Sequence, residues 1–152
     1  MFETRLASSS EYDRLSIESV KKVAPSVVSI VISKYLPKIK SVYPAPFFNP
    51  FFFGDVEEGA KEKIKVGGGS GFIVHPDGLI LTNKHVVFDS DAEYTAITTD
   101  LEEYPAKVIS RDPINDIAVL KISAKGLPTV RLGNSSKLEL GQTVIAIGNA
   151  LG

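Results

Sequence analysis

Short β-branched and apolar runs alternate with turn residues from residue 67 onward, and this alternation constrains the fold more than any other feature. The first run, at 70–74, leads into Pro-Asp-Gly at 76–78, where proline pre-sets φ and glycine accepts a positive φ. A second run returns at 79–82. Later strands are predicted at 94–99, 104–110, 116–122 and 143–148. Many short strands at close spacing favour a sandwich or a small barrel, so the fold class is all-β over this region.

The N-terminal part precedes this pattern with a different one. Residues 1–12 are polar and serine-rich, and we interpret them as a tether. Residues 13–24 have the apolar spacing of a short helix, which Pro25 ends. Residues 26–33 change to β-branched character and predict the first strand.

A long proline-rich loop is predicted at 34–66, and it carries a phenylalanine cluster. The cluster consists of Phe47, Phe48, Phe51, Phe52 and Phe53. Prolines oppose burial of this segment as an ordinary helix or strand, and so apolar a cluster is rarely left in water. Two interpretations stay open: the loop folds onto its own core, or it forms a surface for a partner or for self-association.

The composition excludes several classes of function. The chain has 152 residues, which fits one domain or a piece of a larger one. Its 17 basic and 18 acidic residues leave no basic excess for a nucleic acid partner. The absence of cysteine excludes disulfides, thiolate zinc sites and cysteine nucleophiles. The apolar runs fall short of the roughly 18 residues that a membrane-spanning helix needs, and the N-terminus lacks the pattern of a signal peptide. We predict no cofactor and no bound metal.

The only two histidines of the chain are His75 and His85. His75 precedes the turn at 76–78 and is predicted to lie at a solvated hairpin end. His85 follows the strand at 79–82, where the chain turns at the rim of the sheet, a place that often holds catalytic groups. A structural role is the alternative for a lone histidine. A metal site that the two histidines share is disfavoured, because an extended strand would separate them by about 30 Å.

Asp116 opens a strongly apolar run that continues to residue 122. A carboxylate that faces the interior of a barrel is costly unless it is hydrogen-bonded. An imidazole N–H would satisfy it, and the carboxylate would in turn fix the tautomer of that histidine. Asp112, directly before Pro113, is explained as a turn residue, so Asp116 is the better candidate partner for His85.

The chain resembles the HtrA (DegP-type) trypsin-like serine proteases in six segments taken in order. They are GSGFIV at 69–74, DGLIL at 77–81, TNKHV at 82–86, DPINDIAVLK at 112–121, LGNS at 132–135 and GQTVIAIGN at 141–149. The similarity covers roughly residues 17–33 and 66–152. Each segment alone would be weak evidence, but together and in this order they are highly specific.

The resemblance implies a chymotrypsin-like fold of two six-stranded barrels, of which this chain would be the N-terminal one. His85 would be the general base and Asp116 the acid that orients it, in agreement with the His, Asp, Ser order of that fold. The histidine takes the proton of a serine hydroxyl as it attacks the peptide carbonyl and later gives it to the leaving amine.

The nucleophile of the family lies in a Gly-Asn-Ser-Gly-Gly motif, whose neighbouring N–H groups form the oxyanion hole. The sequence does not contain this motif. Ser135 follows Gly-Asn but lacks the two glycines, and we interpret it as a turn residue. Ser70 lies between glycines that allow close packing of a strand. We therefore expect residues 13–152 to be the first barrel of a protease, inactive alone, without the second barrel or a PDZ domain.

The resemblance further implies an ATP-independent endopeptidase for unfolded or misfolded polypeptides, that is, protein quality control. It implies a homo-oligomer, a trimer in this family, through the phenylalanine cluster. It also implies a place in the cell envelope or periplasm, or a membrane-tethered place outside the cytoplasm. The alternative is a catalytically inactive barrel that serves as a protein-binding or chaperone-like module.

Overall fold

The computed structural model describes residues 2–37 and 61–149, with side chains from residue 11 onward. One helix, α1 (Phe2–Val23), leads through a 3₁₀ turn (Ala24–Ser26) into the strands. The strands are β1 (Val27–Pro37), β2 (Lys61–His75), β3 (Leu79–Thr82), β4 (Glu93–Ile97), β5 (Glu103–Arg111) and β6 (Ala118–Lys121). Two further 3₁₀ turns cover Lys84–Val87 and Ser135–Lys137. No helix within the described ranges is long and apolar enough to cross a membrane.

The six strands close into a barrel in the order β1-β2-β3-β6-β5-β4, with antiparallel pairing throughout. This confirms the all-β class and the six-stranded barrel. Alternate side chains of the strands point inward and form one apolar core. Its largest fully buried members are Ile30, Ile73, Ile80, Leu120 and Ile122.

The helix is longer than the sequence pattern predicts, because it begins at Phe2 instead of near residue 13. No proline or glycine interrupts residues 2–24, so the serine-rich segment continues the helix instead of preceding it. The tether role of residues 1–12 stays a prediction.

Two parts of the predicted loop at 34–66 are strand in the structure. β1 continues to Pro37 and pairs with β2 from Lys61, which forms a two-stranded ribbon beyond the barrel. The prediction was wrong there because the ribbon is solvent-exposed, and its lysine-rich sequence hides the alternation that marks a half-buried strand. The phenylalanine cluster lies outside the described residues.

The strand predicted at 143–148 is absent, and this segment is irregular. Its run of apolar residues predicts a strand, but every strand of the closed barrel already has two neighbouring strands. No barrel edge is left to pair with it. Val144 and Ile145 are consequently exposed.

Candidate active site

The pairing register of the barrel brings two distant segments to one rim. Thr82, the last residue of β3, pairs with Ala118, the first residue of β6. Because the strands are antiparallel, the residues that follow β3 lie beside those that precede β6. His85 and Asp116 therefore meet although 31 positions separate them in the sequence.

His85 lies in the 3₁₀ turn Lys84–Val87, as the sequence indicated. The two valines that follow it, Val86 and Val87, are buried at 8% and 0% exposure and anchor the turn on the core. A Cβ added at Gly69 would lie 2.6 Å from a Val86 methyl carbon, so β2 needs a glycine where the turn rests on it. The His85 side chain is left 72% exposed at the rim.

Asp116 lies in the loop between β5 and β6, and Asp112 shapes that loop. The Asp112 Oδ1 accepts backbone N–H bonds from Ile114 at 2.8 Å and from Asn115 at 2.6 Å. These contacts confirm Asp112 as a turn residue. The sequence suggested that Asp116 opens β6 and faces the barrel interior, and this was wrong. Asp116 precedes the strand, and its side chain is 48% exposed. An inward carboxylate would have been costly, and the rim avoids that cost.

The carboxylate of Asp116 holds His85 through two separate contacts. Its Oδ2 lies 2.6 Å from the Nδ1 of His85, and its Oδ1 accepts the backbone N–H of His85 at 2.8 Å. The first contact stabilises the tautomer with a proton on Nδ1, which leaves Nε2 as the basic nitrogen. Among the hydrogen bonds of the described residues, none involves Nε2. The pair is thus arranged to accept a proton from a group that approaches from outside.

Three further side chains connect the two segments, and the sequence analysis missed all of them. Asn83 donates from its amide to Asp116, Lys84 donates from Nζ to the Asp112 carbonyl at 2.9 Å, and Arg111 donates from Nε to the Val87 carbonyl at 2.8 Å. Asn83 and Lys84 are the two residues that precede His85, and this closeness in sequence was the one available signal.

The other chemically suggestive residues lie elsewhere. His75 is exposed at the turn that follows β2, where its Nδ1 accepts the backbone N–H of Asp77 at 3.3 Å, as predicted for a hairpin end. The Oγ of Ser70 accepts the backbone N–H of Asn149 at 2.7 Å, and Ser135 begins a 3₁₀ turn. Neither serine is hydrogen-bonded to His85. Within the described ranges, no group of three or more His, Asp or Glu residues is arranged to hold a metal ion.

The pKa values of both loop carboxylates are lowered. The N–H bonds from His85, the backbone one foremost, lower the pKa of Asp116, and the backbone N–H bonds from Asn115 and Ile114 lower the pKa of Asp112. A carboxylate with a lowered folded-state pKa stabilises the fold above its unfolded pKa of about 3.9. That stabilisation is lost as the pH falls through the folded-state value.

We therefore expect the urea midpoint of unfolding to fall as the pH is lowered from 7 to 3. An Asp112→Ala variant should be less stable at pH 7, and its stability should depend less on pH, because it lacks one of the carboxylates whose pKa is lowered in the folded state. Unfolding curves at several pH values check this. Parallel pH profiles for the two proteins would contradict the assignment.

Comparison with known proteins identifies the architecture around this pair. A family model for the trypsin-like peptidase domain matches residues 69–152. The chain belongs to the trypsin-like peptidase family. The "Probable periplasmic serine endoprotease DegP-like" of Ectopseudomonas mendocina (strain ymp) is 38% identical over 148 residues, which are 88% of this chain and 31% of that protein. Its counterpart from Chlamydia pneumoniae is 39% identical over 148 residues, which are 86% of this chain and 30% of that protein.

Solved structures agree with the sequence relatives. The HtrA-type protease AlgW with a decapeptide superposes with a TM-score of 0.62 at 33% identity, over 80% of this chain and 37% of that one. Within the trypsin-like peptidases, these relatives and structures belong to the HtrA type, a serine endopeptidase family, as the resemblance indicated. This HtrA-type chain spans about 31% of the length of the DegP-like relative from Ectopseudomonas mendocina.

Proposed function

We propose that this chain is the first barrel of an HtrA-type serine endopeptidase, with His85 as general base and Asp116 as the acid that orients it. The observation that carries the proposal is the 2.6 Å contact between Asp116 Oδ2 and His85 Nδ1 at the exposed rim. In this mechanism Nε2 of His85 accepts the proton of a serine hydroxyl during its attack on the peptide carbonyl. Asp116 stabilises the imidazolium that forms, and His85 then protonates the leaving amine.

The serine and the oxyanion hole are proposed to belong to a second barrel. An apolar groove of about 360 Å³ supports this, since it lies between the end of α1 and the segment after β6 and is lined by Val23, Phe72, Leu132 and Ile145. Leu132 and Ile145 are exposed, as are Leu138 and Val144 of the same chain segment after β6. An apolar face of this kind is typical of a surface that meets another folded unit.

Peptide hydrolysis tests the proposal. The longest product of the reading frame that encodes this chain should cleave an unfolded polypeptide such as reduced casein without ATP, whereas residues 1–152 alone should not. The sequence of this longest product should contain Gly-Asn-Ser-Gly-Gly. A product that contains this motif and binds but never cleaves unfolded protein would favour a catalytically inactive, chaperone-like barrel and would refute the proposal.

The cellular role is proposed to be protein quality control in the cell envelope. The names of the DegP-like relatives, which call them periplasmic, support this compartment. The substrates would be unfolded or misfolded polypeptides. The similar HtrA-type protease AlgW was solved with a decapeptide, which supports a polypeptide as the substrate.

Self-association is proposed through the phenylalanine cluster of residues 47–53, with a trimer as the assembly. The support is the composition of the cluster, which is too apolar to be left in water. Replacing Phe51, Phe52 and Phe53 together by serine should lower the sedimenting mass while the circular dichroism of the barrel stays unchanged. An unchanged mass with a lost barrel spectrum would instead assign the cluster to the core of the domain.

A further inference from the structure

The side-chain amide of Asn83 makes two contacts to Asp116. Its Nδ2 lies 3.1 Å from the backbone oxygen of Asp116 and 3.2 Å from the carboxylate Oδ2 of the same residue. A side-chain amide nitrogen carries two hydrogens, so one group can donate to both oxygens. Asn83 thus connects the main chain and the side chain of Asp116.

This double contact restricts the rotation of the Asp116 side chain. The side chain is 48% exposed, so packing alone does not immobilise it. A fixed distance from Nδ2 to both oxygens limits the torsion angles about the Cα–Cβ and Cβ–Cγ bonds. The retained orientation is the one that places Oδ2 2.6 Å from the His85 ring.

Asn83 is itself well placed for this task. It follows β3 directly in an extended conformation, with φ −75° and ψ 142°, and its backbone oxygen accepts the N–H of Val86 at 3.2 Å. Val86 is buried, so this hydrogen bond anchors Asn83 to the core of the barrel. A carboxylate at position 83 would repel Asp116, and a hydroxyl would supply one hydrogen instead of two.

We propose that Asn83 is a positioning residue that holds the Asp116 carboxylate against His85, so that the acid–base pair is already oriented within this single barrel. Asn83 does not contact the reacting atoms; it acts through Asp116. This inference rests on the proposed function for its kinetic consequence but not for its structural one. The structural consequence is measurable in residues 1–152 alone.

The kinetic experiment compares Asn83→Ala with the parent in the longest product of the reading frame. We expect kcat to fall by about tenfold to a hundredfold, because a misplaced catalytic group costs rates of this order, while KM stays within about twofold. Asn83→Asp should lose more, and Asn83→Ser should recover part of the loss. Asn115→Ala is the matched control, since it removes a neighbouring amide that donates to Asp112 at 3.2 Å. That control should retain kcat within about twofold.

The structural experiment follows the imidazole of His85 by nuclear magnetic resonance in the chain of 152 residues. Asn83→Ala should weaken or broaden the low-field Nδ1–H signal of His85, while Asn115→Ala leaves it unchanged. An unchanged signal in Asn83→Ala would overturn the proposal, even if the enzyme proves inactive. A lost signal in this chain, combined with a longest product of the reading frame that cleaves no peptide even without a substitution, would instead refute the proposed function and keep the positioning role. Circular dichroism separates either result from unfolding, and Asn83→Ser replaces Asn83→Ala if the alanine variant does not fold.

Discussion

Under the proposed function, replacing His85 by alanine is expected to lower kcat for peptide hydrolysis by about 10⁶-fold in the longest product of the reading frame, because the members of a catalytic triad act as a unit. The 3₁₀ turn that carries His85 is anchored by Val86 and Val87, and the imidazole is exposed. Its removal should therefore leave the fold intact. Hydrolysis of a fluorogenic peptide at saturating substrate, together with a thermal unfolding curve, checks both expectations.

The chain provides its own control for this substitution, because it has one other histidine. His75 is exposed at a turn and contacts the backbone of Asp77. His75→Ala should keep kcat within about twofold of the parent. Equal losses in the two variants would mean that neither histidine is the base, and full activity in His85→Ala would refute the assignment directly.

Replacing Gly78 by alanine is expected to lower the free energy of unfolding of the barrel by about 3–5 kcal/mol. Gly78 has φ +93°, and a Cβ there would lie 2.6 Å from the backbone oxygen of Ile122. The costs of backbone strain and of overcrowding in unfolding free energy therefore add. Ile122 is also a fully buried core residue that donates its N–H to the Gly78 carbonyl at 3.0 Å, so it has little freedom to move away. Urea unfolding of the barrel measures the loss.

Gly126→Ala separates the two causes. Gly126 also has a positive φ, +69°, but nothing lies within 4 Å of an added Cβ. This control should lose only the strain contribution, about 1–2 kcal/mol. If both variants lost the same free energy, the close approach of Gly78 to Ile122 would not contribute to stability.

The barrel itself was largely predictable from the sequence because its strands alternate with strong turn signals. β3 was predicted at its observed bounds, and the turn before it was predicted from proline, aspartate and glycine at 76–78. Apolar alternation reports which residues face a core, but it does not report whether a partner strand is available. For that reason the apolar run at 143–148 was predicted as a strand, although the closed barrel leaves it none to pair with.

The contact between His85 and Asp116 was predicted in part. His85 and Asp116 were recognised by position and by family resemblance, whereas their proximity follows from the pairing of Thr82 with Ala118, which no local pattern encodes. Asn83, Lys84 and Arg111 were missed for a related reason. Each donates a hydrogen bond to a residue distant in sequence, and an exposed polar side chain gives no periodic signal of its target.

The two histidines also differ in the tautomer that their contacts favour. The Asp116 carboxylate accepts a hydrogen bond from Nδ1 of His85 and so stabilises a proton on that nitrogen. The Nδ1 of His75 instead accepts the backbone N–H of Asp77, which leaves its proton on Nε2. Opposite tautomers are therefore expected within one chain.

The most direct test of the central claim, that Asp116 orients His85 as a base, is a long-range ¹H–¹⁵N spectrum of the histidine rings. It is recorded at about pH 8.5, well above the ordinary histidine pKa of about 6.5. We predict that neutral His85 carries its proton on Nδ1, that His75 carries its proton on Nε2, and that Asp116→Asn moves the proton of His85 to Nε2. A His85 proton on Nε2 in the parent chain, or a tautomer that Asp116→Asn does not change, would contradict the claim.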